Sequence, residues 1–455
     1  MTFSDLGLTD ALVRALDAKG YETPTPIQRD AIPIVLTGRD LLGIAQTGTG
    51  KTAAFVLPSI QRLADSHKKL LPTHCRMLVL APTRELASQI AENARGYARN
   101  SRLSVATVFG GTSINKNKHD LMRGVDILVA TPGRLIDLVE QGFCNLSMLE
   151  ILVLDEADQM LDLGFIHALR RIVRMVPRRR QTLFFSATMP ESIRELASKF
   201  LHEPETVSVV PAATTAERVD QYVTLVNQQE KQALLTIMLS EEPIDRALVF
   251  TRTKHGADRV VRLLGGNGIA AHAIHGNKSQ GQRERALAAF KSGEVKILVA
   301  TDIAARGIDI SGVSHVFNFE LPNVPEQYVH RIGRTARAGA SGIAISFCAE
   351  DERPYLRDIE KLTRQRVPVR ALPADFMKRA EALKASRVRA HGPDPAPRED
   401  RPRGARPPAR PKASHHPVAT RDYSNASRRG GNGGGGGGGG RNRGRGRGPK
   451  AATGA

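Results

Sequence analysis

The sequence is poor in aromatic residues and cysteine and has no long apolar run. Aromatic residues make up 4% of the chain and tryptophan is absent, which argues against an extended platform for stacking bases. The three cysteines, Cys75, Cys144 and Cys348, lie far apart without the paired spacing of a metal site, as expected for buried thiols in a reducing compartment. No apolar run approaches the roughly 18 residues of a membrane-spanning helix. Residues 1–5 lack the layout of a signal peptide, so we predict a cytoplasmic protein that does not bind membranes.

Positive charge is in excess and is concentrated towards the C-terminal end. The chain of 455 residues carries a formal net charge of +20. Residues 386–455 contain 16 Lys or Arg against 4 Asp or Glu, so more than half of the excess lies there. From His391 onward Pro, Arg and Gly dominate, and this composition cannot bury enough apolar surface to fold. We predict a disordered tail that binds a polyanion such as a nucleic acid, with a solubility role and membrane contact as the alternatives.

Short apolar runs alternate with segments of helical spacing along most of the chain. The first series of runs is Met77–Leu80, Val105–Phe109, Ile127–Ala130, Ile151–Leu154 and Thr182–Phe185. The second series is Ala247–Phe250, Ala271–Ile274, Ile297–Ala300, Val316–Phe319 and Ile343–Phe347. Each series is typical of a mostly parallel sheet with helices on both faces, so we predict an α/β fold with two domains of similar architecture.

Polar or glycine-containing residues follow the runs of the first series directly. Because the carboxyl ends of parallel strands lie along one edge of a sheet, we expect these segments to converge there. Residues 202–220 break the rhythm and are interpreted as a linker. A helix is predicted from Asp375 to Val388, ahead of the tail.

The segment Ile44–Ala53 predicts a loop that binds phosphate. It lies between an apolar run and a segment of helical pattern from Lys51 to Leu63. Its glycines let backbone N–H groups surround a triphosphate, Lys51 adds a positive charge, and the Thr52 hydroxyl can bind Mg²⁺. Ala45 stands where the generic pattern has glycine, so an ordinary strand-to-helix turn is the alternative. The second series has no such loop, which assigns the nucleotide to the first domain.

Two adjacent carboxylates, Asp155 and Glu156, follow the apolar run Ile151–Leu154. One carboxylate there can hold Mg²⁺ through water, while its neighbour polarises the water that attacks the γ-phosphate. The alternative is the start of a helix, where acidic residues are favoured. The phosphate loop upstream favours the catalytic interpretation.

Three arginines, Arg331, Arg334 and Arg337, recur at intervals of three residues. On a helix they would lie along one face, where a solvated stripe is the simplest alternative. Guanidinium groups can also reach a triphosphate on another domain and offset the charge that builds during transfer. We therefore predict that nucleotide draws the two domains together.

Taken together, these motifs resemble DEAD-box ATP-dependent RNA helicases, and most of all the bacterial RhlE-type branch. The resemblance runs from Phe3 to about Phe347, and the loop Ala45–Thr52 matches the family pattern including its leading alanine. It implies two tandem RecA-like domains, each a mostly parallel sheet flanked by helices, and a disordered basic C-terminal tail. The implied boundaries are 1–210 for the ATP-binding domain with its adenine-reading element, 211–217 for the linker, 218–370 for the C-terminal helicase domain, 371–390 for a helical extension and 391–455 for an RNA-binding tail.

The resemblance also assigns roles to individual residues. Residues implied in ATP binding are Phe3, Tyr21, Gln28, Ala45, Gln46, Thr47, Gly48, Thr49, Gly50, Lys51, Thr52, Gly307 and Asp309, with Gln28 on the adenine edge. Catalytic residues are Lys51, Asp155, Glu156, Ser186, Thr188, His330, Arg334 and Arg337, and Mg²⁺ is held by Thr52 and Asp155, largely through water. Contacts to the RNA backbone are Pro82, Thr83, Arg84, Gly110, Gly111, Thr131, Pro132, Gly133, Arg134, Arg283, Thr301 and Asp302.

The implied activity is that of an RNA-dependent ATPase that unwinds short RNA duplexes or remodels RNA–protein complexes. Ribosome precursors and the RNA-decay machinery are the implied partners. The alternatives are an ATP-gated clamp without catalysis and a DNA helicase of the wider superfamily. Ala336 departs from the family, which more often has glycine there, and the tail matches no folded RNA-recognition module.

Overall fold

The structure, a computed structural model, describes residues 1–46, 48–66, 68–209, 219–305, 312–336 and 342–391, and only the backbone of 386–391. Within these residues the chain forms two parallel sheets, one after the other in sequence. No helix of the described part is long and apolar enough to cross a membrane. We call the parts built on the two sheets the first and the second domain.

The first sheet is buried between helices on both faces. Its strands are β1 (Leu41–Ile44), β2 (Cys75–Leu80), β3 (Val105–Val108), β4 (Val125–Ala130), β5 (Ile151–Leu154), β6 (Gln181–Ser186) and β7 (Glu205–Ser208). They pair in parallel in the order β3-β4-β2-β5-β6-β1-β7. Alternate residues of β2 belong to two different apolar clusters, Met77 and Val79 to one and Leu78 and Leu80 to the other, because successive side chains of a strand point to opposite faces.

Helices cover both faces of the first sheet. In the described residues they are α1 (Asp10–Asp17), α2 (Pro26–Thr37), α3 (Lys51–Asp65), α4 (Arg84–Tyr97), α5 (Ile114–Leu121), α6 (Pro132–Glu140), α7 (Ala157–Asp162), α8 (Ile166–Met175) and α9 (Glu191–Phe200). Several of them, α3, α4 and α6 among them, begin where a strand has just ended. Their N-termini therefore point at the carboxyl edge of the sheet, as the sequence pattern predicted.

The second domain repeats this architecture. Its strands are β8 (Val219–Leu225), β9 (Ala247–Phe250), β10 (Ala271–Ile274), β11 (Ile297–Ala300), β12 (His315–Asn318) and β13 (Gly342–Cys348), in the parallel order β10-β11-β9-β12-β13-β8. Its described helices are α10 (Lys231–Glu241), α11 (Lys254–Gly265), α12 (Gln280–Ser292), α13 (Asp302–Ala305), α14 (Pro325–Ile332), α15 (Arg353–Thr363) and α16 (Phe376–His391). The prediction of two parallel α/β domains is confirmed.

The interpretation of residues 202–220 as one linker is wrong at both ends. β7 pairs with β1 from Glu205 onward, and β8 begins at Val219. Both lie at the edge of their sheets: only Val207 of β7 is buried, and on its outer side β8 has a single described bridge, from Val223 to Val369. A strand with one buried side chain leaves little apolar signal in a sequence. The predicted linker 211–217 and most of the tail lie outside the described residues.

The C-terminal extension is a helix that packs on the second domain. α16 begins one residue after the predicted start at Asp375, and Phe376 and Ala380 are buried against α10. Arg379 of α16 pairs with Glu241 at 2.5 Å. The first part of the helix is therefore fixed to the second domain by both apolar and charged contacts.

Candidate functional site

The loop between β1 and α3 is folded back on itself. Gly48 and Gly50 both have left-handed backbones, and Gly50 caps the N-terminus of α3. Lys51 is 5% exposed, donates from Nζ to the Ala45 carbonyl at 3.0 Å, and lies 3.9 Å from Asp155 Oδ1. The amine is thus held over a glycine-rich loop at a helix N-terminus, a geometry suited to phosphate groups.

Asp155 and Glu156 lie at the end of β5 and are each 2% exposed. Burial raises the pKa of Asp155, and the nearby Lys51 amine opposes that shift. Glu156 adopts a left-handed backbone (φ 55, ψ 52), which is strained for a residue with a Cβ and typical of functional sites. Asp155 Oδ1 is buried without a hydrogen-bond partner, so this carboxylate has coordinating capacity that the described residues leave unused.

The carboxamide of Gln28 joins α2 to the phosphate loop. Pro26 and the reciprocal cap between Thr25 and Gln28 begin α2, in which the Gln28 side chain accepts from the Thr25 N–H at 2.9 Å. Its Nε2 donates to the Gly50 carbonyl at 3.1 Å. Gly50 has a left-handed backbone (φ 93), which favours glycine, and a Cβ there would also displace this amide. Gln28 keeps a second N–H and further lone pairs for a base.

A cavity beside the glycine loop is lined in part by residues that sequence reasoning missed. The cavity, of about 230 Å³, is lined by the loop, by Asp155 and Glu156, and by Leu86, Gln89, Asn93 and Tyr97 of α4. Their helical spacing was visible in the sequence, but only the packing of α4 beside α3 brings that face to the loop. Tyr21 was predicted and lies at the mouth, 36% exposed, with its hydroxyl 3.3 Å from that of Tyr97.

Phe3 is part of the core of the first domain. It is 4% exposed and belongs to the apolar cluster that also contains Ile27 of α2. Its side chain therefore supports the element that carries Gln28. A short helical turn, Ser4–Leu6, follows Phe3 and ends at Gly7, which has a left-handed backbone.

Asp158 connects the acidic segment to the end of β6. Its Oδ2 accepts from the Ala187 N–H at 3.1 Å, the Thr188 N–H at 3.0 Å and the Thr188 hydroxyl at 3.1 Å. The Ser186 hydroxyl donates to the Thr188 carbonyl at 2.7 Å. Ser186 and Thr188 were predicted as functional residues, whereas Asp158 was not. Its three bonds make the two segments one rigid unit.

Arg84 lies against the glycine turn that follows β3. Gly111 has a left-handed backbone (φ 83), and a Cβ on it would collide with the Arg84 guanidinium, so glycine is required for this approach. The Thr83 hydroxyl caps α4 by accepting from the Leu86 N–H at 3.3 Å. Pro82, Thr83 and Arg84 thus combine a helix N-terminus with a guanidinium, an arrangement that suits a phosphate.

A second helix N-terminus lies beside it, at the start of α6. Thr131 precedes the helix, Pro132 occupies its first turn, and a Cβ on Gly133 would meet open space. Arg134 donates from Nη1 to Asn117 Oδ1 at 3.0 Å, which fixes its guanidinium. Because β2, β3 and β4 are neighbours, the structure brings these predicted RNA contacts together at one edge.

Arg283, another predicted RNA contact, is engaged by a carboxylate of the first domain. Its Nη2 donates to Glu85 Oε2 at 2.7 Å, and the two residues are 7% and 4% exposed. Burial raises the pKa of Glu85, and the Arg283 charge opposes the shift. Glu85 is in the first turn of α4, next to Arg84. The ion pair therefore joins the second domain to the edge of the first that carries the predicted RNA contacts.

Asp302 is likewise occupied by a protein partner. Arg331 is 1% exposed and binds both Asp302 oxygens, at 2.5 Å and 2.7 Å. A carboxylate held this way positions Arg331, and its charge is unsuited to a phosphate contact of its own. Thr301 caps the short helix α13, its carbonyl accepting from the Ala304 and Ala305 N–H groups.

Arg334 and His330 lie together in a small cavity of the second domain that Gln327 also lines. Arg334 is 6% exposed and donates from Nε to the His330 carbonyl at 3.3 Å. Ala336 adopts a left-handed backbone (φ 53), so the glycine that the family more often has there would be less strained. Thr47, Gly307, Asp309 and Arg337, all predicted site residues, lie outside the described residues.

A buried ion pair in the second domain joins the first residue of α10 to Glu352. Lys231 and Glu352 are both fully buried and bonded to each other. Burial lowers the pKa of Lys231, and the negative charge of Glu352 opposes that shift. Glu352 Oε1 also accepts from Arg252 at 3.3 Å, and the Arg252 N–H donates to Glu320, whose carbonyl accepts from Arg331 at 2.7 Å. No motif contains this pair, because its partners lie 121 residues apart.

Two family descriptions match the chain. Residues 25–196 match the DEAD/DEAH box helicase family, and residues 229–339 match the helicase conserved C-terminal domain. The first match covers the loop, Asp155 and Glu156, and the edge with the predicted RNA contacts. The second covers Arg331 of α14 and Arg334, which follows that helix.

Curated relatives carry a common name. The chain is 43% identical over 365 residues to the ATP-dependent RNA helicase CshA of Listeria monocytogenes, which covers 80% of this chain and 69% of that protein. It is also 43% identical over 366 residues to the DEAD-box ATP-dependent RNA helicase CshA of Geobacillus kaustophilus, covering 80% and 77%.

Two solved structures superpose on most of the chain. S. cerevisiae Dbp5 bound to RNA and ADP BeF3 superposes with a TM-score of 0.73 at 31% identity, over 85% of this chain and 99% of that one. Mss116p bound to ssRNA and AMP-PNP superposes with a TM-score of 0.75 at 26% identity, over 87% and 83%.

Proposed function

The chain belongs to the DEAD-box family and is an ATP-dependent RNA helicase, and from this premise we propose which residues bind ATP, hydrolyse it and hold RNA. The observation that carries the proposal is the convergence of Lys51, Asp155 and Ser186 at the ends of β1, β5 and β6. These strands are adjacent in the order β5-β6-β1. The Lys51 amine, the carboxylates of Asp155 and Glu156, and the segment that begins at Ser186 thus meet at one edge.

ATP binding is assigned to the loop after β1. Backbone N–H groups of the loop would hold the phosphates, and Lys51 would exchange its bond to the Ala45 carbonyl for a phosphate oxygen. Gln28 would read the adenine edge with the hydrogen-bonding capacity that Thr25 and Gly50 leave it, which favours ATP over GTP.

The residues also fit Mg²⁺. This ion keeps most of its waters and takes few protein ligands, and the described residues contain no cluster of three or more His, Cys, Asp or Glu able to hold a metal. The Thr52 hydroxyl and Asp155 Oδ1, which has no hydrogen-bond partner, would hold it, largely through water. When bound, it would neutralise charge on the phosphates.

Hydrolysis is assigned to water oriented by Glu156. Arg334 of the second domain, with Arg337, would offset the charge that develops on the γ-phosphate, and His330 would support that contact. Asp158 would transmit the structural effect of ATP hydrolysis to Ser186 and Thr188, since hydrogen bonds join all three residues into one unit. Closure of the two domains thereby links ATP to RNA.

RNA is assigned to the edge formed by the N-termini of α4 and α6. Arg84, Arg134 and the flanking glycine turn would contact phosphates and ribose hydroxyls, which distinguishes RNA without reading its sequence. Bending of one bound strand would separate a short duplex locally. An ATP-gated clamp and a DNA helicase were the alternatives that the sequence left open.

ATP hydrolysis measured with matched RNA and DNA oligonucleotides tests this function. We expect RNA to stimulate phosphate release and DNA to have little effect. Equal stimulation by both would favour the DNA helicase, whereas RNA binding that requires ATP but never releases phosphate would favour the clamp. Chelation of Mg²⁺ should abolish release in either case, and full activity in chelator would reject the metal assignment.

We further propose that the tail, 391–455, tethers RNA through its excess positive charge. Truncation after Ser386 is expected to weaken RNA affinity and to flatten its dependence on salt, because fewer counterions are released. Binding measured across a salt series checks this. Identical curves for the full and truncated chains would leave the tail with a solubility role.

Three narrower assignments are also proposals. The RhlE-type branch rests on the motif pattern alone, and a tree that groups the chain with CshA proteins instead would overturn it. A cytoplasmic location is supported by three buried free cysteines, and cell fractionation tests it. Ribosome precursors and decay machinery are proposed partners, and sequencing of crosslinked cellular RNA that lacks both classes would reject them.

A further inference from the structure

The helix α8 and the turn after it carry an unusual density of arginine. Residues 163–190 contain no aspartate or glutamate, and six of the eleven residues from 170 to 180 are arginines. They are Arg170, Arg171, Arg174, Arg178, Arg179 and Arg180. None of them belongs to the nucleotide site or to the RNA-facing edge.

Two of the six hold the segment in place. Arg171 pairs with Glu140 of α6. Arg180 donates to the Pro177 carbonyl at 2.7 Å and to the Phe200 carbonyl at 3.3 Å, which fixes the turn against the end of α9. On its other side α8 buries Leu169 and Ile172 in the core. The surface that the remaining arginines occupy is therefore rigid.

The other four arginines, Arg170, Arg174, Arg178 and Arg179, are exposed and have no ion pair or hydrogen bond with any described residue. We call them the α8 arginine stripe. Arg170 and Arg174 are four residues apart on one helix face, where like charges destabilise a helix by roughly 0.2–0.5 kcal/mol. The stripe is thus a repulsive arrangement without an internal counter-charge.

Ordinary helix stabilisation explains only part of the stripe. A cation in the last turn interacts favourably with the helix dipole, and Arg174 holds that position. Arg170 lies one turn earlier, while Arg178 and Arg179 lie beyond the helix end. Three of the four positive charges therefore have no stabilising role in the fold.

The stripe leads away from the RNA-facing edge. α8 packs beside α6, whose first turn is part of that edge. The chain enters α8 from α7, at the carboxyl end of β5, and leaves it towards the amino end of β6. The ten residues of α8 span about 15 Å along the side of the first domain.

We propose that the α8 arginine stripe is a second binding site for the RNA phosphate backbone, which holds RNA that flanks the segment bound at the edge. Guanidinium groups bind phosphate in a bidentate fork and keep their charge at all working pH values. The basic tail of this chain is excluded as the occupant because it carries the same charge. The inference rests on the proposed RNA contacts at the edge.

The experiment compares three full-length proteins. One has Arg170→Gln, Arg174→Gln, Arg178→Gln and Arg179→Gln. The control has Arg357→Gln, Lys361→Gln, Arg366→Gln and Lys378→Gln, four exposed basic residues of the second domain. Both variants lose the same charge, and the tail is common to all three. Affinity for a short single-stranded RNA and for one several times longer is measured over a salt series with a non-hydrolysable ATP analogue.

We expect the stripe variant to bind the long RNA about tenfold more weakly, with a salt slope lower by about 0.7 per lost phosphate contact. Its affinity for the short RNA should match that of the wild type. Its thermal stability should change little, because the stripe makes no ion pair or hydrogen bond with described residues, and the repulsion relieved between Arg170 and Arg174 opposes the loss of the dipole interaction of Arg174. The control should match the wild type with both RNAs.

An equal loss in the control, a loss with the short RNA, or no loss at all would overturn the inference. So would a stripe variant that stops binding phosphatidylglycerol vesicles but keeps its affinity for long RNA, because the site would then be for a membrane. The binding assay needs no hydrolysis, so failure of RNA-stimulated ATPase in the wild type would reject the proposed function separately.

Discussion

Glu156→Gln is expected to lower RNA-stimulated phosphate release by at least about 100-fold, while ATP and RNA binding persist. The substitution keeps the shape of the side chain but removes the basicity that orients and activates water, an effect typically worth 10²–10⁴-fold in rate. Glu156 is 2% exposed at the end of β5, beside Asp155 and within the cavity that Lys51 and Thr52 also line. Steady-state phosphate release with saturating RNA measures the change.

The retained binding is what makes this variant informative. Because hydrolysis is needed to reopen the domains, the variant should remain on RNA in the presence of ATP and dissociate more slowly than the wild type. Glu195→Gln, an exposed carboxylate on α9, is the matched control and should leave both rates unchanged. If Glu156→Gln hydrolysed ATP at the wild-type rate, the catalytic assignment would be wrong and a clamp would be favoured.

Breaking the Glu85–Arg283 ion pair is expected to have the second large effect. Removing one member of a buried pair leaves the other charge without a partner, which typically costs about 3–5 kcal/mol. In a contact between the domains, this penalty falls on the closed state. We expect Arg283→Gln or Glu85→Gln alone to lower kcat/KM for RNA by roughly 10²- to 10³-fold or more.

The double variant distinguishes this contact from a direct RNA contact. With both charges removed no buried charge is stranded, so Glu85→Gln with Arg283→Gln should recover part of the loss. If Arg283 instead bound phosphate independently of Glu85, Arg283→Gln would have the same effect in the wild type and in the Glu85→Gln variant. Arg285→Gln, an exposed neighbour on α12, is the control. Additive losses in the cycle would reject the interdomain contact.

The strands that carry function were predictable from sequence to within a residue or two. β5 and β9 match their predicted runs, because strands buried on both faces are continuous apolar segments. β7 was not predicted because it buries a single side chain, and β8 was not predicted because its buried residues are interrupted by exposed and half-buried polar ones. The helix α16 was predicted nearly to its start, because its polar and apolar residues alternate with helical spacing.

The roles of several site residues depended on partners that no local pattern reveals. Arg283 and Asp302 were both predicted to touch RNA, yet each is engaged by a protein charge, Glu85 in one case and Arg331 in the other. Glu85 and Arg283 are 198 residues apart. Their contact requires both sheets to be folded and adjacent, a condition that a motif does not contain.

The sequence alone determined the chemistry of the site: a glycine loop ending in Lys51, the carboxylates Asp155 and Glu156 behind an apolar strand, and a basic tail. These signals are local, because backbone conformation, helix starts and net charge depend on neighbouring residues. The tertiary structure decided which charges stay available for ligands. Burial and distant partners assigned Glu85, Asp158, Arg331 and Glu352 to positioning the site, and packing left the arginines of α8 exposed without a counter-charge.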